Sequence, residues 1–423
     1  MLPLDSGLPF DPASDASFFA ALPSRPGVLR ISMRDPAAEP YLIRTADLRR
    51  AAERLLNPPE PGSRRLNLRE VAARIDYRVT GSKFEQLLAM YAQAKLDFPR
   101  RYRDLLRLRP PALLKVNLGN DYPRCYVTRR IRGDGGFYFG PFPSRRIAEG
   151  FAEGFLDLFK TRRCQIKIRR DPSFPGCIYS EMKMCLAPCF AGCTQEEYAA
   201  EAARMVEALA TSGASLLESL ERDREAASES LDFERAAALH KRIEKVEGAV
   251  RGLPELVHRI DRLDAVILTR AAEEKTVLVF PLRAGIFSPP ICLRFAEISS
   301  GPRSVETLLR GELEPASSAE KAADAAVSAP LEWRERFALH RAPPEFPEHL
   351  ALLARWFYSK PREGEIFFRD GAWPYRRILR ACGRLLAGDA PPDAAPSSAA
   401  PPSSANPEPA VPRPKMKTKR KVE

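Results

Sequence analysis

Several features are scarce in this 423-residue sequence, and each absence excludes a class of protein. No run of 18 uncharged apolar residues occurs, so the sequence predicts no membrane-spanning helix. The N-terminus, MLPLDSGLPFDPAS, has no basic stretch followed by an apolar one, which argues against a secretory signal. We therefore expect a soluble cytoplasmic protein with no membrane partner, in a compartment that keeps cysteines reduced.

Cysteine is also rare, yet five of the eight cysteines lie close together, from Cys164 to Cys193. A zinc ribbon requires two Cys-x2-Cys pairs, and the sequence has none. A four-iron cluster accepts wider and unequal spacings, such as those separating Cys164, Cys177, Cys185 and Cys189. From spacing alone, an iron-sulfur cluster, a zinc ion and a set of unligated buried thiols all remain open.

Positive charge is unevenly distributed along the chain. Residues 99–170 contain 18 Lys or Arg against six Asp or Glu, which equals the net charge of +12 of the whole sequence. A concentrated basic zone favours a polyanion partner such as DNA, although a merely solvated basic face is the alternative. The candidate DNA-binding residues are Arg129, Arg130, Arg132, Arg145, Arg146, Arg162 and Arg163.

The length and the changing pattern of the chain predict an α+β protein of several domains. Strand-like GVLRIS and helical segments at 45–56 and 82–98 indicate a small α/β unit, and a β-meander follows it. The predicted domains are an α/β unit at 1–105, a basic β-hairpin with the cysteine-rich segment at 106–194, a helical hairpin at 195–252, an α/β region at 253–388 and a disordered basic tail at 389–423.

The helical hairpin begins with a capping box, Thr194-Gln-Glu-Glu197. The pattern predicts one helix from there to about Glu221 and a second from Asp232 or Phe233 to about Val250. A single hairpin cannot bury both of its faces, so an apolar stripe would remain for a partner.

Six segments together resemble the bacterial UvrC family of excinucleases, in its order and at similar spacings. The likeness covers about residues 22–360 and is strongest between 120 and 245. The segments are DYPRCYVTRR, FYFGPFPSRR, LFKTRRC, PGCIYSEMKMCLAPC, TQEEY and LDFERAAALHKRI.

The resemblance implies a set of domains and partners. It implies an N-terminal GIY-YIG nuclease domain, a 4Fe-4S cluster and a UVR hairpin that contacts UvrB, with UvrA in the same repair system. The cluster ligands would be Cys164, Cys177, Cys185 and Cys189. The UvrB contacts would be Leu231, Phe233, Glu234, Ala236 and Ala237, unless the hairpin packs only on its own protein.

The nuclease motif is altered in this sequence. Leu29 stands at the first tyrosine of the family motif, Ala51 at its catalytic arginine and Met90 at its metal-binding glutamate. Tyr41 is kept and Arg44 replaces a lysine, so these two are the remaining catalytic candidates. A GIY-YIG reaction needs a divalent cation on hard oxygen ligands, which methionine cannot supply.

We therefore expect a degenerate GIY-YIG domain, with Mg2+ or Mn2+ bound only if the nuclease site is active. If the alignment is shifted, Arg49, Arg50 or Glu85 could occupy that site. The segment after the hairpin resembles the lead-in to the family's RNase H-like domain, for which the remaining sequence leaves no room.

The expected function is that of a non-catalytic or impaired component of nucleotide excision repair that binds DNA and UvrB. The alternative is an active single-incision endonuclease of the short UvrC-homologue type. A general nucleic-acid-binding protein unrelated to excision is a third possibility.

Overall fold

The computed structural model describes residues 2–58, 62, 64–314 and 344–388. The predicted basic tail at 389–423 lies outside these residues. Three antiparallel sheets, each with its own helices, make up the described part, so the expected mixed α/β, multidomain fold is confirmed. No helix in the described ranges combines the length and the apolar character needed to cross a bilayer.

The N-terminal sheet has the strand order β1-β4-β2-β3. Helices α1 and α2 cover one face, and α3 lies against the other. The predicted strand at 27–32 and the two predicted helices are confirmed with small shifts of their ends. The elements are β1 (Ser6–Pro9), α1 (Asp15–Ala21), β2 (Gly27–Met33), β3 (Tyr41–Thr45), α2 (Leu48–Leu56), β4 (Ala72–Val79) and α3 (Lys83–Asp97).

The middle sheet has the order β6-β5-β7-β8 and contains the predicted β-meander. Phe151 and Phe155, on one side of α5, pack into its apolar core because they are one helical turn apart. The elements are α4 (Tyr102–Leu105), β5 (Ala112–Val116), β6 (Cys125–Thr128), β7 (Phe137–Phe142), α5 (Arg145–Leu156) and, after the helical region, β8 (His258–Arg259).

The helical region differs from the prediction in one respect. The helix expected from Thr194 to about Glu221 is two helices, α7 (Gln195–Ala210) and α8 (Ala214–Glu229), which follow the short α6 (Ile178–Glu181). The chain turns at Ser212 and Gly213, which have positive φ angles of 49° and 89°. The capping box at Thr194 is confirmed, and α8 forms the antiparallel hairpin with α9 (Phe233–Arg251).

The C-terminal sheet has the order β11-β10-β9-β13, with β12 also paired to β10. Asp264 precedes β9 and accepts a hydrogen bond from the Ala284 amide at 2.7 Å. The elements are β9 (Ala265–Arg270), β10 (Thr276–Arg283), β11 (Ile286–Phe287), β12 (Ile291–Arg294), α10 (Phe295–Ser300), α11 (Val305–Leu313), α12 (Phe346–Phe357), β13 (Glu365–Phe368) and α13 (Tyr375–Ala387).

Helix α3 lies between the N-terminal and C-terminal sheets. The ring of Phe84 is 5.0 Å from that of Phe280 on β10 and 5.0 Å from that of Trp356 on α12. These contacts belong to a core that also includes Val28 and Leu42 of the N-terminal sheet. The two sheets are thus joined through one shared apolar core.

Candidate cysteine site and nucleic-acid surface

The cysteine-rich segment, residues 160–193, contains little regular secondary structure. Apart from α6 it has a 3-10 turn at Pro188–Phe190, and Lys183, Ala187 and Ala191 adopt positive φ angles. Long-range backbone bonds hold the segment together, including Leu186 N to Lys160 O and Asp171 N to Cys189 O, both 2.9 Å. Ordering such a loop-rich segment costs conformational entropy that few regular hydrogen bonds offset.

Cys164, Cys177, Cys185 and Cys189 all line one cavity of about 230 Å³. The rest of its wall is mostly apolar, and Cys185 Sγ accepts a hydrogen bond from the Ala187 amide at 3.3 Å. The four cysteines predicted from the sequence are therefore brought together. Residues of the wall that the sequence reasoning did not identify are Ile166, Ile168, Phe174 and Ile178, which are interleaved with the cysteines.

Four cysteine thiols around one cavity are the donor set that a cubane iron-sulfur cluster takes. No set of three or more His, Cys, Asp or Glu side chains in the described residues is arranged to hold a metal ion, whereas the four thiols line one cavity. A cubane cluster takes its ligands from around such a space, one thiolate at each iron. Burial raises the pKa of Cys185 to about 11 and also raises that of Cys189, so binding a metal would have to displace their protons.

The remaining cysteines lie apart from the cavity wall. Cys193 is buried beside it, and its carbonyl accepts a hydrogen bond from Arg170 Nη2 at 3.1 Å. Cys125 and Cys382 are buried in two different apolar cores, where burial raises each pKa to about 12. Cys292 is exposed, and all eight cysteines are free thiols.

The predicted DNA-binding arginines fall into two groups. Arg129, Arg130 and Arg132 are exposed in the loop between β6 and β7, and they form no ion pair within the described residues. By contrast, the other candidates near α5 mostly have partners. Arg145 pairs with Glu149 at 2.7 Å, and Arg163 pairs with Asp157 at 2.6 Å. Arg162 donates hydrogen bonds to the carbonyl oxygens of Tyr122 and Ile166. Arg146 is exposed at the start of α5.

A buried lysine, Lys115, holds the loop between β6 and β7 against β5. The Lys115 ammonium, on β5, contacts the Asp134 carboxylate, and it lies 5.1 Å from the centre of the Tyr138 ring. Burial by itself would raise the pKa of Asp134, but the hydrogen bond and charge of Lys115 outweigh it and lower that pKa. Asn117 Nδ2 also donates to the Asp134 carbonyl at 3.0 Å. The loop that carries the three arginines is therefore held to the sheet through Asp134.

The five positions carried over from the nuclease motif do not meet at one site. Leu29 is fully buried in the core under α1 and α2, and Tyr41 packs against the same core. Met90 is buried in the other core, on the opposite face of the sheet. Arg44 is exposed, and Ala51 is buried on α2.

The residues considered for a shifted nuclease site have structural partners. Arg49 donates to the Leu22 carbonyl at 2.8 Å, while Arg50 uses its amide to complete the N-cap of α2. Glu85 is buried, so its pKa is raised, and its carboxylate accepts from Arg78 and from the Gly81 amide at 2.8 Å. The one carboxylate among these three residues, that of Glu85, is therefore buried and already bonded to Arg78 and Gly81.

The tip of the α8–α9 hairpin is apolar and exposed. Leu231 has 71% of its surface exposed and Phe233 has 68%, while Glu234 and Ala237 are also exposed and Ala236 is partly buried. The opposite side of the hairpin is buried through Leu216, Leu220, Leu239, Ile243 and Val246. An exposed leucine and phenylalanine next to each other are typical of a protein-binding surface.

Two family models match adjoining parts of this region. The UvrC/Cho excinuclease middle domain matches residues 112–208, which include the meander, α5 and the cysteine-rich segment. The UvrB/uvrC motif matches residues 214–249, which begin directly after Gly213 and cover the α8–α9 hairpin. No solved structure matches the chain.

Similar proteins are the UvrABC system proteins C of several bacteria. That of Oleidesulfovibrio alaskensis is 30% identical over 272 residues, covering 63% of this chain and 38% of the relative. That of Carboxydothermus hydrogenoformans is 31% identical over 197 residues, covering 45% and 31%. That of Dehalococcoides mccartyi is 28% identical over 186 residues, covering 42% and 29%. The match thus spans about a third of each relative, and the resemblance predicted from the sequence is confirmed for this part.

Proposed function

We propose that this chain, which carries the UvrC/Cho middle domain and the UVR motif between residues 112 and 249, is a UvrC-like component of nucleotide excision repair. In this proposal it binds DNA and UvrB, holds a 4Fe-4S cluster and does not cut DNA with its N-terminal domain. The observation that carries the proposal is the convergence of four cysteines on one cavity within the matched middle domain.

The cluster would be held by Cys164, Cys177, Cys185 and Cys189. When bound, it supplies metal-thiolate bonds that cross-link a segment with little regular structure. The chain's own residues contribute a hydrogen bond from the Ala187 amide to Cys185 and apolar side chains that line the cavity between the cysteines. Ordering this segment also orders Arg162 and Arg163, which line the same cavity.

DNA would bind to the basic zone of the middle domain. Arg129, Arg130 and Arg132 support this because they are exposed, unpaired in the described part of the chain and attached to the anchored loop. Each phosphate that such residues neutralise releases counterions, so the binding should weaken steeply with salt.

The N-terminal domain is proposed to be catalytically inactive. Phosphodiester hydrolysis requires a cation on oxygen ligands and positive charge near the developing negative charge on phosphorus. Here Met90 offers a buried thioether, and Leu29 lies on the other face of the sheet. Tyr41 alone cannot replace this group of cooperating residues. Mg2+ or Mn2+ is therefore not part of the proposed function.

The proposal is tested by combining the full chain with UvrA, UvrB and a lesion-bearing duplex, in the presence of Mg2+ or Mn2+. We expect the chain to be retained on the UvrB–DNA complex without nicking the duplex. A nick that disappears in Tyr41→Phe would contradict the non-catalytic assignment and would favour the single-incision endonuclease.

The same experiment tests the hairpin. Because Phe233 is exposed at the tip, Phe233→Ala should leave folding intact and weaken retention by UvrB about tenfold or more, as for a central interface residue. Leu96→Ala is the matched control, since Leu96 has 72% of its surface exposed on α3, away from the hairpin. Equal retention of both variants would count against UvrB binding through this tip.

A further inference from the structure

A groove of about 460 Å³ lies between the cysteine-rich segment and the UVR hairpin. Lys183 stands on the wall formed by the cysteine-rich segment, and Arg242 and Lys245 stand on the wall formed by α9. Lys160 belongs both to this groove and to an adjoining depression of about 580 Å³, which Arg242 also lines. The two depressions therefore share residues along one side of the hairpin. Glu197 and Glu201 line only the adjoining depression, where Glu201 pairs with Arg204 at 2.7 Å and accepts a hydrogen bond from the Lys160 amide at 2.7 Å.

The charge of the groove is strongly positive. Five cationic side chains line it against a single carboxylate, that of Asp157, and Arg163 already pairs with this carboxylate at 2.6 Å. The other four cations are exposed and form no ion pair in the ranges that the structure describes, although Lys245 Nζ donates to the Asp157 carbonyl oxygen at 3.2 Å. Four cations on facing walls, without carboxylate partners, form a surface that attracts a polyanion.

Apolar side chains also line the groove. Met182, which has 61% of its surface exposed, and the partly exposed Met184 lie between the cationic residues, together with the buried Phe159 and Val246. A single strand of nucleic acid exposes both a phosphate backbone and the flat faces of its bases, so it can use cations and an apolar surface together. A duplex stacks its bases inside and presents mainly phosphates to such a groove. The combination therefore favours a single strand.

We propose that this groove binds a single-stranded segment of nucleic acid, with phosphates contacting Lys160, Lys183, Arg242 and Lys245. The inference rests on the proposed DNA-binding function and assigns it a site that differs from the arginine loop between β6 and β7. A repeating polyanion is favoured over an acidic protein segment because Lys160 and Arg163 belong to the 99–170 window that holds the net charge of the chain.

The site needs residues that are far apart in the sequence. Lys183 follows α6, whereas Arg242 and Lys245 are one turn apart on α9. A strand in the groove would contact both the cysteine-rich segment and the hairpin. Nucleic-acid binding would thereby be coupled to the two elements proposed to hold the cluster and UvrB.

The test compares two double variants of the full chain. Lys183→Ala with Arg242→Ala removes one cation from each wall of the groove. Arg235→Ala with Lys241→Ala is the matched control, since it removes two exposed cations of α9 that lie outside both the groove and the basic 99–170 window. All four side chains are exposed, so both variants should fold, which far-UV circular dichroism and thermal melting would verify.

Affinity is measured over a range of salt concentrations with a labelled oligothymidine, a duplex of equal length and a polyglutamate peptide. The groove variant should bind oligothymidine about tenfold or more weakly than wild type at moderate salt. The slope of log affinity against log salt should fall by about 0.7 for each of the two lost phosphate contacts. The control should lose much less affinity, and the loss on the duplex should be smaller.

Each contrary result has a distinct meaning. Wild-type protein that binds neither oligonucleotide would overturn the proposed DNA function together with this inference. Wild-type binding with equal losses in the groove and control variants would overturn the groove alone. An equal loss on single strand and duplex would overturn the single-strand assignment. Loss of polyglutamate binding with oligothymidine binding unchanged would assign the groove to an acidic protein.

Discussion

Gly213 occupies the turn between α7 and α8, where its φ angle is 89°. A Cβ atom at this position would lie 2.4 Å from Val250 Cγ2 on α9, closer than real Cβ contacts. Two independent restrictions, the backbone angle and the packing, therefore require glycine. The segment Thr211-Ser212-Gly213 was the available signal that the predicted long helix is divided.

Gly213→Ala should lower the free energy of unfolding by about 2–4 kcal/mol, because it combines a strained left-handed residue with an overpacked contact. Gly150→Ala is the control, since Gly150 lies within α5, is exposed and has open space around it. That variant should instead gain about 0.5–1 kcal/mol from improved helix propensity. Urea unfolding followed by circular dichroism measures both, and equal effects would refute the packing argument.

At the scale of elements, Glu348 connects α12 to α3 and α4. Its carboxylate is buried and accepts hydrogen bonds from Tyr91 Oη at 2.5 Å, Tyr102 Oη at 2.8 Å and Arg103 Nε at 2.5 Å. Burial, and then the bond to Glu348, raises the pKa of Tyr91, which stays protonated and able to donate. The N-terminal and C-terminal sheets are thus joined by a polar network as well as by the shared core.

Glu348→Gln should destabilise the protein by about 1–3 kcal/mol, because the amide cannot accept all three hydrogen bonds and leaves a buried donor unpaired. Glu345→Gln is a suitable comparison, since Glu345 pairs with Lys95 at 2.7 Å where both side chains are 29% exposed. The loss there should be at most about 1 kcal/mol. Thermal or urea unfolding measures both losses. A larger loss of stability in Glu345→Gln than in Glu348→Gln would contradict the role given to Glu348.

The helices and strands were largely predictable, because apolar periodicity and capping residues act locally. Ser82 caps α3 by accepting a hydrogen bond from the Glu85 amide, and such signals are present in the sequence itself. The packing of α3 was not predictable in this way. Helix α3, which includes Met90, contacts both the N-terminal and the C-terminal sheet, and these sheets come from opposite ends of the chain.

For the molecule as a whole, the cysteine-rich segment is the part whose order is expected to depend on a bound group. Its backbone has few regular hydrogen bonds, yet it carries Arg162, Arg163 and Lys183. Losing the proposed cluster should therefore release one wall of the groove and weaken nucleic-acid binding.

Cys185→Ser should abolish the visible absorption of anaerobically prepared protein, increase tryptic cleavage within residues 160–193 and lower affinity for DNA. Cys193→Ala is the control, because Cys193 is buried but does not line the cavity. It should retain both the absorption and the DNA affinity. A colourless wild-type protein would contradict the cluster, and unchanged DNA affinity in Cys185→Ser would contradict the coupling.

By itself, the sequence determined the element types, the basic zone, the four cysteines of the site and the likeness to UvrC, since these depend on local pattern and spacing. Only the tertiary structure decided which side chains meet. It brings the four cysteines around one cavity, separates Leu29 from Met90 across a sheet, and places Lys183 opposite Arg242. The physical reason is that packing joins segments distant in the chain, and no local periodicity encodes which faces pack together.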